Sequence, residues 1–143
     1  MIKAEISQAE INKAIGKLDL LLKKKRDQVE VVINHHALKI ESAAKNRVPT
    51  DSGRLKSSIK TEKLGELGRK VYTNVEYAPY VEFGTYGNVE TTISGVDYSS
   101  VALPFKRSNG GPGGMPGRSF LFRSFEEARP KIIKDLKKVI NAK

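Results

Sequence analysis

The chain has 143 residues, 38% apolar and 29% charged, with 26 Lys and Arg against 16 Asp and Glu and no cysteine. That size suits a single domain over residues 1–143 around one modest core, and the lack of cysteine excludes disulfides and thiolate metal sites. No run approaches the roughly 18 apolar residues a membrane span needs, and MIKAEISQAE lacks the apolar stretch of a secretory signal.

Residues 1–26 read as an N-terminal helix followed by a basic turn. Ser7 precedes Glu10 at capping-box spacing, and Ile11, Ile15, Leu18 and Leu22 then repeat as one helical stripe. Gly16 weakens its middle, and Lys23, Lys24, Lys25 and Arg26 form the turn. A longer helix follows over about 27–47, with Val29, Val32, Ile33, His36, Ala37, Ile40 and Ala44 on one face. At about 30 Å it is long enough to be the spine of the domain. Pro49 ends it, because the residue before a proline is pushed out of the helical region.

The stretch Pro49-Thr50-Asp51-Ser52-Gly53 has the make-up of a tight turn. Residues 58–64 and 69–75 alternate around Gly65 and Gly68 and predict an antiparallel hairpin. In YAPYVEFGT, Pro79 suits a first helical position and Gly84 the position after the last, which predicts a short helix over 79–83. Residues 84–119 hold eight of the twelve glycines and read as a flexible loop insertion, with extended pieces at 89–93 and 97–103. The last helix carries Ala128, Ile132, Ile133, Leu136, Val139 and Ile140 at helical spacing. Its start is expected near Ser124, which keeps Pro130 in the first turn. The fold class is therefore α+β: long N-terminal helices and a C-terminal helix packed on a small antiparallel sheet, with a long Gly-rich loop.

Candidate chemistry is sparse. His35 and His36 are neighbours, which on a helix point about 100° apart and make a poor metal pair. PGGMPGRS resembles a phosphate-binding loop only superficially, with Pro112 and Arg118 where glycine and lysine belong. No nucleophile elbow, acid–base carboxylate pair or cofactor motif stands out, so catalysis is not expected.

Charge is unevenly placed: ten basic residues against six acidic in 1–48, six against seven in 49–100, and ten against three in 101–143. Lys23, Lys24, Lys25 and Arg26, with Lys131, Lys134 and Lys138 on one face of the last helix, are candidate phosphate contacts. A merely solvated basic face is the competing reading. Tyr77, Tyr80 and Phe83, and the second knot Phe120, Leu121 and Phe122, are candidates for core or for docking on a neighbouring subunit.

Taken in order, the segments AKNRVPTDSGRLKSSI, VEYAPYVEFGT and PGRSFLFRSFEEARPKIIKDLKKVI resemble a family of tailed-bacteriophage neck proteins, over about residues 28–140. These are small head–tail joining, or tail-completion, proteins of long-tailed phages and prophages. The matching pieces are Pro49, Asp51, Ser52, Gly53 and Leu55 of the turn, Tyr77 to Thr85, and Phe120-Leu121 at the start of the last helix. This chain has Ser119 where the family usually has proline. The resemblance implies a non-enzymatic virion protein, assembled in the host bacterial cytoplasm, with no cofactor and no membrane. It would form a homo-oligomeric ring between the head connector or head-closure protein and the tail-terminator or tail-tube protein, and packaged DNA would pass through it. The alternative is a small basic protein that binds DNA without sequence specificity.

Overall fold

A computed structural model describes residues 2–15, 25–85, 89–103 and 114–142. The candidates Lys23 and Lys24, and the predicted stripe positions Leu18 and Leu22, lie outside these residues. In chain order the elements are β1 (Ile2–Ile6), α1 (Gln8–Ile15), α2 (Arg26–Arg47), α3 (Gly53–Ser58), β2 (Lys60–Leu64) and β3 (Gly68–Thr73). They are followed by α4 (Ala78–Phe83), β4 (Thr92–Ile93), β5 (Val96–Asp97), α5 (Ser99–Ala102) and α6 (Leu121–Asn141).

The fold is α+β, with α2 and α6 packed on each other and α2 also packed on a three-stranded antiparallel sheet ordered β1-β3-β2. Along α2 the side chains of Val29, Ile33, His36, Ala37, Ile40 and Ala44 are buried, the stripe that the helical period predicts. The helix ends as expected: Val48, before Pro49, is extended at φ −63° and ψ 136°. The hairpin forms with Thr61 opposite Val71 and Lys63 opposite Arg69.

The N-terminal stretch departs from expectation. Residues 2–6 are a strand, pairing Ile2 with Thr73, Ala4 with Val71 and Ile6 with Arg69, while the helix begins after Ser7 as the capping box predicts. Ile2, Ala4 and Ile6 point into the core while Lys3 faces solvent. The capping box is made in full. The Ser7 N–H donates to Glu10 Oε2 at 3.1 Å, and the Glu10 N–H donates to Ser7 Oγ at 3.2 Å.

The Gly-rich insertion is also more structured than its composition suggests. Its described part forms the β4–β5 ribbon and α5, and buries Ile93 and Ala102. The third correction concerns α6, which starts at Leu121 rather than near Ser124 and so carries Pro130 well inside it. A proline there typically costs about 3 kcal/mol. The anchorage of residues 119–123 described next sets the start of the helix.

Candidate functional site

The short helix α4 is bounded as the sequence predicts. Pro79 lies in its first turn, and Gly84 closes it at φ +92° with its N–H donating to the Tyr80 carbonyl at 2.9 Å. That placement turns Glu82 inward, where the residue is completely buried. Its carboxylate meets the start of α6. Oε1 accepts from Ser119 Oγ at 2.5 Å and the Phe122 N–H at 2.9 Å. Oε2 accepts from the Phe120 and Leu121 N–H groups, both at 3.0 Å. Ser119 Oγ in turn accepts from the Arg123 N–H at 3.1 Å.

A helix leaves its first N–H groups without internal partners. Here one side chain from a distant helix and one local serine supply them all from Phe120 to Arg123. An anionic carboxylate also suits the positive end of the helix dipole. Burial pushes the Glu82 carboxyl above its ordinary value, and the bonds from Leu121, Ser119, Phe122 and Phe120 pull it back. Glu82 is the residue sequence reasoning missed. Its one signal was being the sole charge in YAPYVEFG.

The chain returning to α6 runs against the end of α4. The Arg118 N–H donates to the Val81 carbonyl at 2.7 Å, the Thr85 N–H to the Met115 carbonyl at 2.9 Å, and Gly84 bridges Pro116. A Cβ on Gly117 would lie 2.6 Å from the Phe83 carbonyl carbon and 2.7 Å from its oxygen. Gly117→Ala is therefore expected to destabilise the fold by about 1–3 kcal/mol, because backbone must shift to admit the methyl. Urea unfolding checks this, and an unchanged midpoint would refute the close packing. Behind this junction Phe122 stacks between Phe83, at 5.6 Å, and Tyr98, at 4.6 Å between ring centroids. The Tyr98 hydroxyl donates to Glu126, and burial together with that bond holds the phenol well above its usual range.

These contacts decide where the candidate residues stand. Phe83, Phe120, Leu121 and Phe122 are buried within this chain, where they fill the α4–α6 junction. Tyr77 and Tyr80 are half-buried, and the Arg54 guanidinium lies 5.9 Å from the Tyr77 ring centroid. Lys25 is committed elsewhere, donating from Nζ to the Ile140 and Ala142 carbonyls at the end of α6. Arg26 pairs with Glu66 at 2.8 Å. Lys131, Lys134 and Lys138 remain exposed along α6. The structure thus brings one set of aromatics together as core and leaves the lysines of α6 at the surface.

The two histidines part company. His35 is exposed, while His36 is buried and its Nε2 lies 2.7 Å from Asp135 Oδ2, joining α2 to α6. That hydrogen bond, reinforced by Lys138 and Lys134, holds the Asp135 carboxyl below its ordinary value. A lowered carboxyl contributes stability above its unfolded pKa of about 3.9, and the contribution is lost as pH falls through the folded value. Asp135→Asn is accordingly expected to flatten part of the loss of stability below about pH 4. Urea midpoints across that range check it, and an unaltered acid limb would contradict the assignment.

Among the described residues no group of three or more His, Asp or Glu is placed to hold a metal ion, and no helix is long and apolar enough to cross a membrane. No curated protein and no solved structure matches the chain. A family model does: HK97-gp10_like, described as "Bacteriophage HK97-gp10, putative tail-component", matches residues 12–84. The matched span holds α2, α3, the β2–β3 hairpin and α4 with its inward Glu82. The chain belongs to this HK97-gp10-like family of bacteriophage tail components.

Proposed function

We propose that the chain is a non-enzymatic neck component that joins the head connector to the tail as a ring through which DNA passes. The match of residues 12–84 to a family of phage tail components carries this reading. Such a role is performed by surfaces rather than by a reactive centre, and a ring needs two different, complementary patches on each subunit. The monomer supplies suitable apolar material. Val31 and Leu38 stand exposed on α2, seven residues apart and hence on one face. Val101, Leu103 and Met115 are exposed within the 84–119 insertion. Tyr77 and Tyr80 are half-buried on α4.

Sedimentation and electron microscopy of the chain, alone and mixed with head-connector, tail-terminator and tail-tube proteins, test the proposal. Rings or stable joint complexes are expected. Val31→Ser with Leu38→Ser should weaken them while leaving the unfolding midpoint nearly unchanged, since both side chains are already in water. Monomers in every mixture would overturn the reading.

A further inference from the structure

Charge on this molecule is sorted by face. On the sheet side most basic groups are paired: Lys3 with Glu5 at 2.7 Å, Lys70 with Glu62 at 2.8 Å, and Lys63 and Arg69 both with Glu30 at 3.5 and 2.9 Å, leaving Lys60 exposed. Along the exposed side of α6 the opposite holds. Arg123, Lys131, Lys134, Lys137 and Lys138 are all exposed and, among the described residues, none forms an ion pair. At 100° per residue these positions fall within one arc of the helix, opposite the buried Phe125, Ile132 and Leu136. Glu127 lies within this arc and is paired with Arg47, Asp135 beside it is hydrogen-bonded to His36 and acted on by Lys134 and Lys138, and Asp27 lines a groove with Lys138. From 123 to 138 the helix rises about 22 Å, so this is a rail of basic groups without direct ion-pair partners rather than a spot.

We propose that this face of α6 meets the sugar–phosphate backbone of duplex DNA without reading its sequence. The inference deepens the neck proposal by giving the side of the subunit turned toward DNA, and it rests on that proposal for the identity of the polyanion. Two features favour DNA over an acidic protein. Protein interfaces are poor in lysine and centred on aromatic or apolar anchors, and the arc offers lysine with no aromatic residue. Lysine is also a strongly hydrated point charge on a flexible stem. A row of such groups holds phosphates weakly and exchanges one for the next, which suits DNA that has to move past.

The test is fluorescence anisotropy of a 20-base-pair duplex titrated with the intact chain at a series of salt concentrations. Wild-type protein is expected to bind at low salt, with log affinity falling linearly in log salt. The variant carrying Lys131→Gln, Lys134→Gln, Lys137→Gln and Lys138→Gln should flatten that slope by about 0.9 for each phosphate it no longer neutralises, and bind at least about tenfold more weakly. A control with Lys56→Gln and Lys60→Gln, exposed positions elsewhere, should behave as wild type. No binding at low salt, an equal loss in the control, or a stronger effect on polyglutamate than on DNA would each overturn the inference. Ring assembly by the fourfold variant is followed separately by sedimentation. Failure of the rail with intact assembly refutes this inference alone, whereas monomers from wild-type protein refute the neck reading.

Discussion

Replacing Glu82 by alanine should cost about 3–5 kcal/mol, a large share of the 5–15 kcal/mol that keeps a domain folded. The carboxylate accepts from three backbone N–H groups and a hydroxyl in a site with no exposure, so its removal leaves several buried donors unmatched at once. Glu82→Gln is the more informative variant. It keeps one acceptor oxygen but turns an NH2 group toward other donors, so it should fall between wild type and alanine. Urea unfolding followed by circular dichroism measures both. A loss below about 1 kcal/mol for Glu82→Ala would show that water or local rearrangement serves these groups just as well. The far-ultraviolet signal carries a second expectation: α6 should fray from its N-terminal end, because that end loses its acceptor.

Phe122→Ala is expected to destabilise the chain by a comparable 3–5 kcal/mol, the usual range for deleting a buried aromatic ring. Phe122 is the middle ring of a stack with Phe83 and Tyr98, so its loss opens a cavity and also removes two ring pairings worth roughly 0.5–1.5 kcal/mol each. Phe122→Leu fills much of the space and should recover part of the loss. The near-ultraviolet spectrum, where Tyr98 reports on its packing, ought to weaken in the alanine variant before any global unfolding. Should Phe122→Ala match wild type in the urea midpoint, the stack would not be a structural element.

What the sequence made legible was mostly local. The stripe of α2, the capping box at Ser7 and Glu10, the hairpin turn and the proline–glycine bounds of α4 each depend on residues within a turn or two of one another. β1 was missed although Ile2, Ala4 and Ile6 alternate, because its pairing partner lies in β3, more than sixty residues downstream. The start of α6 was misplaced for a related reason. Phe120, Leu121 and Phe122 are held through backbone N–H groups, and a backbone donor leaves no mark on residue type. The aromatic clusters were visible, but composition alone does not divide them between core and interface. Burial divides them: Phe83 and Phe122 inside, Tyr77 and Tyr80 half out.

The bond pattern around Glu82 also bears on how this chain tolerates change. Glu82 grips residues 119–122, and Thr85 is tied to Met115, so residues 85 and 115 are clamped side by side. The entropy of closing a loop grows only slowly with its length, by about 0.6 kcal/mol for each doubling. With both ends held close by these bonds, changes of length away from Ile93, Tyr98 and Ala102, which pack on the frame, are expected to cost little to the rest. A lineage that must fit new partners can therefore vary the length of that segment while Ile93, Tyr98 and Ala102 and the frame they pack on stay the same.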